Sequence, residues 1–461
     1  MSEASSPPTS PLAQLALDDS GDSGITELEL NQPTSAPHIE AIPLELRFLI
    51  LSNLEIPDIK QFSLCSRICR TTSLSALYRR LNLTYVYNAS IEHAINPMVR
   101  LEQIRSAFVD PRGILYKKEH LVRHVTVDSG NICGFNHIVT YFRGWVSLLP
   151  LFKNLDSLKI LYYSPSAGAY SPTIYEFDHR LFNGTCYRLM ETCPAYRNLK
   201  YLHMKTTDYR FGDPALSPRP RAAEPLSEED ELFLGLTLGE SVLKYSSQDT
   251  IQPPEGLEEA YFDIDFRTEP RSDVIDPMVF IKSSTEMLKK LGVWQDLHDA
   301  RNGRSRPLLT EGIDLTNVKD LGICLDFLNL PVYLTELKAR VPNLESLSFY
   351  VDQGSEGGFW EEEAIKAYTR VVGAWAGTLT RMRVPWFTVN GRMEGEAERT
   401  QRIRSWLDEN EYSKLEKVTL VKETPESWFE AVDCSITRLG LGRELKWSQM
   451  YVTKKLPLDG L

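Results

Sequence analysis

A short apolar pattern recurs along this chain: an apolar residue, two others, a second apolar residue, one other, and a third apolar residue, often with Asn just before the first. The three clearest copies begin at Leu155, Leu199 and Leu344. Within each copy the last residues alternate apolar and polar, which is the period of a strand that is buried on one face. Weaker copies with the same spacing begin at Val122, Val318, Leu379 and Leu415.

Most copies follow one another at intervals of roughly 26 to 44 residues, and helical periodicity fills several of the gaps. Helices are predicted at 180–192, 361–376 and 399–411. A strand and a helix repeated at this interval are typical of a solenoid, whose units bury their apolar faces on one another. The units resemble leucine-rich repeats, although the strict spacing fails after the strand. The alternative is that such short strings arise by chance in an α/β protein.

The pattern is interrupted between about 205 and 315. A proline-rich and acidic stretch at 214–231 indicates one exposed loop, and 253–256 indicates a second. Residues 284–300 predict a helix, with Ser284 as its cap and with apolar residues along one face. We therefore interpret 205–315 as an irregular insertion.

The segment from residue 42 to residue 81 differs from the rest of the chain. Pro43 and Pro57 each stand where a helix tolerates proline, in its first turn. The helix after Pro43 is apolar around almost its whole circumference, whereas a helix that packs on one core needs a single stripe. About 40 residues cannot form a stable core without a disulfide, a metal or a partner. A partner chain is the simplest explanation, because the segment contains only Cys65 and Cys69.

The order of residues in this segment resembles an F-box. The family's opening Leu-Pro is matched by Ile42-Pro43 and its Glu-Leu by Glu45-Leu46. Its later positions are matched by Ile50, Ser52 and Leu54, then by Pro57-Asp58-Ile59, and then by Cys65-Ser66-Arg67. The chain departs from the family at Cys69, where an aromatic residue is common. The alternative is an ordinary two-helix hairpin of a larger helical core.

The resemblance implies that this segment binds a Skp-type adaptor and, through it, a cullin. The repeat region would then bind a protein target that the sequence does not name. The residues that the resemblance assigns to the adaptor are Ile42, Pro43, Leu46, Ile50, Leu54, Pro57, Ile59, Phe62, Cys65 and Arg67.

Charge is unevenly distributed in this chain of formal net charge -12. Residues 1–41 contain acidic residues but no Lys or Arg, and residues 1–38 are predicted to be disordered because they are rich in Ser, Pro and acid. Residues 42–81 carry more basic than acidic residues, which favours an acidic partner. No basic stripe or recognisable binding motif indicates nucleic acid elsewhere.

The remaining motifs indicate no catalysis, cofactor or metal. The run Gly21-Asp22-Ser23-Gly24 matches a serine-protease string, but the first histidine is His38 and the fold needs its histidine upstream. His120 and His124 have no third ligand near them in the sequence. An odd number of cysteines without a CxxC pair indicates a reducing compartment. No signal peptide or long apolar run is present, so we expect no membrane and a cytoplasmic or nuclear location.

The sequence therefore predicts an α/β protein with a disordered tail at 1–38, a small all-helical F-box at 39–85 and a leucine-rich-repeat-like solenoid of parallel strands and helices at 86–461. The expected function is the non-catalytic, substrate-recognition subunit of an SCF-type cullin-RING ubiquitin ligase. The alternative is an F-box scaffold that acts without ubiquitin transfer. A solenoid presents its strands on a concave face, where Tyr201 and His203 are the best candidates for target contacts. The insertion at 205–315 is the alternative target site.

Overall fold

The structure is a computed structural model of the chain that describes part of it. The predicted tail at 1–38 and most of the predicted helix at 361–376 lie outside the described residues. The chain forms two compact units that divide between Asn53 and Leu54. The described residues are 42–84, 97–113, 115–129, 135–164, 181–182, 184–186, 188–190, 192–208, 226–238, 253–264, 280–295, 313–325, 337–351, 373–386, 388–389, 392–393, 395–409, 412–423, 429–439, 442–448 and 451–453.

The helices begin where the sequence predicts in the segment at 42–81. The first unit contains α1 (Leu44–Ser52), which starts directly after Pro43. In the second unit Pro57 lies in the first turn of α2, and Ser66 caps α3 by accepting a hydrogen bond from the Cys69 N–H at 3.1 Å. The second unit contains α2 (Ile56–Ser63), α3 (Arg67–Tyr78), α4 (Pro97–Val109), α5 (Phe135–Leu148), α6 (Glu228–Leu238) and α7 (Glu396–Glu409), with 3-10 helices at Glu119–Leu121, Leu149–Leu151 and Pro194–Asn198.

Two further helix predictions are supported by the structure. The described residues between 181 and 192 are helical, and α7 covers most of the predicted helix at 399–411. Among the described residues, no helix combines the length and the apolar sequence that crossing a bilayer requires.

One mostly parallel sheet organises the second unit, so the α/β prediction is confirmed. Strands β1 to β9 lie side by side in chain order and run parallel, and β12 follows β9 in the same direction. The two strands between β9 and β12 in the chain form a separate hairpin. Antiparallel strands β13 and β14 follow β12, and β15 also pairs with β13. The strands are β1 (Arg80–Thr84), β2 (His124–Asp128), β3 (Ser157–Ser164), β4 (Tyr201–Asp208), β5 (Glu259–Ile264), β6 (Lys290–Gln295), β7 (Asp320–Leu325), β8 (Ser346–Val351), β9 (Arg381–Pro385), β10 (Thr388–Val389), β11 (Arg392–Met393), β12 (Lys417–Glu423), β13 (Phe429–Leu439), β14 (Gly442–Trp447) and β15 (Tyr451–Thr453), with β10 and β11 forming the separate hairpin.

The recurring apolar pattern forms the core of this sheet. In the copy at Leu199, that residue precedes β4 by two positions, and Leu202 and Met204 point from β4 into the core. All three side chains are buried, and the corresponding residues of the other copies, where the structure describes their side chains, join the same apolar cluster. Burying a side chain of this size contributes about 1.5 to 3 kcal/mol. The pattern therefore marks both where each strand begins and which face it buries.

The sheet continues through the region that the sequence presents as an insertion. Two further copies of the pattern, starting at Leu257 and Leu288, form β5 and β6 in register between β4 and β7. The interpretation of 205–315 as a break in the repeat is therefore wrong at these residues. The signal was present in the sequence, because Leu257, Ala260 and Phe262 and then Leu288, Leu291 and Val293 keep the spacing of the pattern.

The predicted helix at 284–300 is also wrong. Leu288 and Leu291 are three residues apart, which suits one face of a helix as well as the strand pattern. Pairing decides between the two, because β6 bonds to a parallel strand on each side. The predicted loop at 214–231 is wrong at its end, because Glu228–Glu231 forms the first turn of α6.

The residue before each strand links neighbouring units through its carbonyl. The Asp156 carbonyl accepts hydrogen bonds from the N–H groups of Lys200 at 2.9 Å and Tyr201 at 3.1 Å. A register slip by one residue would break this double contact and turn the buried side chains to the opposite face. The same arrangement is made by the carbonyls of Arg79, Arg123, Lys200, Glu258, Lys289, Lys319, Glu345 and Thr380.

The asparagines that precede several copies also link neighbouring units, through their side chains. Asn154, Asn317 and Asn343 each donate from the side-chain amide to a carbonyl of the preceding unit, at 3.3, 3.2 and 3.4 Å respectively. Each residue stands immediately before the first apolar residue of its copy. The Asn in the pattern is therefore explained as a bridge between units.

Candidate protein-binding surfaces

Helix α1 exposes most of its apolar side chains. Leu46 is 51% exposed and Leu49 is 60% exposed, while Leu51 is buried. Side-chain hydrogen bonds stabilise both ends of the helix. The Arg47 side chain donates to the Ile42 carbonyl at 3.0 Å, and the Asn53 side chain donates to the Leu49 carbonyl at 2.8 Å. The helix thus presents a defined apolar surface to solvent.

Helices α2 and α3 pack against each other and expose a second set of apolar residues. Ile59 on α2 and Cys69 on α3 are buried, whereas Leu64 and Ile68 near the turn between the helices are exposed. The aromatic residue expected at position 69 would not fit without rearrangement, because the Cys69 side chain has almost no accessible surface.

The predicted adaptor residues differ in their exposure. Ile59 is buried, and its predicted role as a surface contact is corrected because its side chain supports the fold instead. Ile42 and Phe62 are half-buried. The remaining predicted residues are exposed: Pro43, Leu46, Ile50, Leu54, Pro57, Cys65 and Arg67.

The polar face of the sheet is formed by the alternate strand residues that do not enter the core, such as Lys159, Tyr201 and His203. The structure places Tyr201 and His203 on this face, as predicted, but His203 is only 1% exposed and Tyr201 is half-buried. The expectation that both are exposed is therefore wrong for His203. Ser346 and Ser348, which the alternation also predicts to point outward on β8, are buried.

His203 belongs to a cluster of rings rather than to an open surface. The Tyr201 hydroxyl lies 3.4 Å from the His203 Nδ1, and the Tyr261 ring centroid lies 5.8 Å from that of His203. Burial lowers the pKa of His203 well below its usual value, and the charges of Lys159 and Lys205 lower it further. The imidazole is consequently neutral at physiological pH, and burial likewise raises the pKa of the Tyr261 hydroxyl.

Opposite charges pair across the polar face. The Lys290 ammonium lies 3.1 Å from the Glu259 carboxylate on the neighbouring strand. The Arg381 guanidinium reaches past Ser346 to the Asp320 carboxylate at 3.3 Å. The Lys417 ammonium lies 2.7 Å from Asp433, so charges of both signs are interspersed along the face.

The described residues contain no group of three or more His, Cys, Asp or Glu side chains that could hold a metal ion. No protein-family model matches the chain, and no curated protein matches it.

Proposed function

We propose that the chain is the substrate-recognition subunit of an SCF-type cullin-RING ubiquitin ligase. In this proposal residues 42–81 are an F-box that binds a Skp-type adaptor, and the parallel strands are an irregular leucine-rich-repeat solenoid that binds a protein target. The chain itself supplies no reacting group. It holds a target lysine near a ubiquitin-conjugating enzyme and so raises their effective concentration. The corresponding location is the cytoplasm, the nucleus or both.

The observation that carries the proposal is the exposed apolar surface of α1. An isolated helix of 9 residues is marginal in water, and exposed apolar groups of this density mark interaction sites. Leu46, Leu49 and Ile50 together offer the kind of apolar anchors that dominate binding energy when a partner covers them. The sequence order Ile42-Pro43 to Cys65-Ser66-Arg67 supports an F-box as the reason for this surface.

The repeat proposal is supported by the uniform relation between pattern and strand. In every described copy the first apolar residue precedes the strand by two positions, and the carbonyl between them joins the next unit. Repetition of one local unit with contacts to its neighbours is the property that defines a solenoid. For target binding, Tyr201 remains a candidate, whereas buried His203 would act by supporting the Tyr201 ring.

Adaptor binding can be tested with Ile50→Asp combined with Leu54→Asp. Each change places a charge on an apolar contact, and loss of one such anchor typically costs about 2 kcal/mol or more. We expect the double variant to lose capture of a purified Skp-type adaptor by more than about 100-fold. A matched control is Val109→Asp with Met287→Asp, which changes two exposed apolar residues elsewhere.

Adaptor capture that is equal in the double variant and in the wild type would contradict the F-box assignment. If capture is lost as expected, ubiquitin transfer in a reconstituted ligase then separates the two readings. A subunit that delivers targets supports transfer to its bound proteins, whereas a scaffold of the alternative kind binds the adaptor without transfer.

A further inference from the structure

Helix α6 is fixed to the second unit by one side. Asp230 accepts a hydrogen bond from the Thr140 hydroxyl at 3.1 Å and pairs with the Arg143 guanidinium at 3.1 Å, both on α5. The Ser227 hydroxyl donates to the same carboxylate at 2.7 Å and accepts from the Asp230 N–H at 3.2 Å. These contacts fix the first turn of the helix.

The rest of this inner side is close-packed. Phe233 is buried in the core cluster, with the Arg188 guanidinium 5.5 Å from its ring. Thr237 is buried against Gly184, where an added Cβ would lie 2.5 Å from the Thr237 carbonyl oxygen. The inner side of α6 is therefore held rigidly, which fixes the direction of the outer side.

The outer side of α6 carries Glu228, Glu231, Leu232, Gly235 and Leu236, all exposed. Their spacing of three and four residues places them in one stripe along the helix. Leu232 is 64% exposed and Leu236 is 50% exposed. At Gly235 an added Cβ would meet nothing within 4 Å. The stripe thus carries two leucines, a glycine without a side chain between them, and two carboxylates towards the start of the helix.

No comparable surface lies elsewhere in the described part of the second unit beyond α3. The other exposed large apolar residues there are Val109, Tyr116 and Met287, and no two of them are one helical turn apart. The two leucines of α6 are.

We propose that the outer side of α6 docks an amphipathic helix that carries leucine-like residues beside Lys or Arg. Leu232 and Leu236 would contact its apolar face, and the missing side chain at Gly235 would let the two helix axes approach closely. Glu228 and Glu231 would face its cations, which adds selectivity and speeds association.

Charge favours this partner over the alternatives. The stripe contains two carboxylates and no Lys or Arg, so a second copy of the same stripe supplies no complementary charge. An anionic lipid surface or nucleic acid would be repelled by the same carboxylates. The proposal does not depend on adaptor binding, and its test uses no adaptor.

The test is fluorescence anisotropy of the full chain with two synthetic helical peptides that share one leucine pattern and carry either Lys or Glu on the flanks. We expect preference for the Leu/Lys peptide. The variant Leu232→Ser with Leu236→Ser should weaken that binding at least tenfold. The variant Glu228→Lys with Glu231→Lys should shift the preference towards the Leu/Glu peptide.

The matched control is Glu255→Lys with Glu286→Lys, the same charge change at two exposed positions away from α6. The proposal is overturned if this control weakens binding as much as the α6 variants do, because the attraction is then a general charge effect. It is also overturned if the α6 variants bind both peptides as the wild type does. Circular dichroism checks folding, and Glu228→Gln with Glu231→Gln replaces the lysine variant if that variant loses helix content.

A dimer would point to a different occupant. Sedimentation velocity of the wild type and of Leu232→Ser with Leu236→Ser decides this point. A dimer that forms in the wild type and is lost in the variant would overturn the proposal in favour of a second copy of the chain.

Discussion

The guanidinium carbon of Arg399 lies 4.6 Å from the ring centroid of Trp386. A second indole, that of Trp447, lies 4.9 Å from the same carbon. Arg399 is in the first turns of α7, Trp386 directly follows β9 and Trp447 ends β14. The Trp447 indole also donates to the Thr400 hydroxyl at 2.9 Å. One buried cation thus joins the last parallel strands, the helix beside them and the terminal hairpin.

Arg399→Ala should destabilise the chain by roughly 1 to 3 kcal/mol, because it removes cation–π contacts and the packing of a long side chain. Arg399→Lys should recover only part of this loss, since an ammonium lacks the planar stacking surface. Chemical denaturation measures the free energy of unfolding. Arg404→Ala on the exposed side of the same helix is the control, and an equal effect of both alanine variants would contradict the role of the two indoles.

Leu291→Ala should cost as much stability as Leu202→Ala, about 2 to 5 kcal/mol each. Both side chains are fully buried and occupy the same position of the repeated pattern, on β6 and β4. Met287→Ala, at an exposed residue, should change stability little. If Leu291→Ala behaves like Met287→Ala, then β6 does not belong to the continuous core.

Gly184→Ala should destabilise the chain much more than Gly144→Ala, although both glycines lie in helical segments. A Cβ at Gly184 would meet the rigid Thr237 backbone, whereas a Cβ at Gly144 would meet only the end of the flexible Leu101 side chain at 2.6 Å. We expect Gly184→Ala to cost about 1 to 3 kcal/mol. Gly144→Ala should be close to neutral, since alanine gains about 1 kcal/mol of helix propensity.

Hydrogen exchange locates the effect of these glycine variants. Relative to the wild type, Gly184→Ala should speed amide exchange in α6 more than in the sheet, because the altered contact lies between α6 and the helical residues near 184. Equal protection of α6 in the two variants would argue against a close helix contact at Thr237.

Lowering the pH from about 7 to 5 should destabilise the chain through His203. Its pKa in the folded state is held below the usual value by burial and then by Lys159 and Lys205. The unfolded state therefore binds a proton first, and stability falls as the pH drops below the unfolded pKa of about 6.5. The slope from one such group is at most about 1.4 kcal/mol per pH unit. His203→Gln should reduce this pH dependence of the free energy of unfolding, measured by urea denaturation at several pH values, and an unchanged pH dependence would show that folding does not lower the pKa of this histidine.

Much of this fold was predictable from the sequence because each strand carries its own local signal. Leu155, Leu199 and Leu344 mark strands correctly, since the same spacing sets both the start of a strand and its buried face. The strand β6 was misread because Leu288 and Leu291 also suit a helix, and only pairing with β5 and β7 distinguishes the two. Long-range pairing of this kind is not encoded in a local period.

The surfaces were less predictable than the core. Alternation placed His203 on the correct face, but it cannot report that the rings of Tyr201 and Tyr261 and neighbouring chain bury it. Ile59 was predicted to contact the adaptor because it belongs to the motif, but its apolar side chain is buried within the fold. The exposed leucines of α6 were not predictable as a surface, because an acidic stretch after several prolines resembles a loop.

The junction between α3 and β1 has a mechanical consequence. Helix α3 ends at Tyr78 and β1 begins at Arg80, so only Arg79 separates them, and its carbonyl is already bonded to the N–H groups of Arg123 and His124. No flexible linker intervenes. Any protein that binds α3 is therefore held next to β1, and each further strand of the sheet lies about 4.8 Å beyond the one before it. The distance between a protein bound to α3 and a second protein bound to the sheet is therefore set by which strand the second protein contacts.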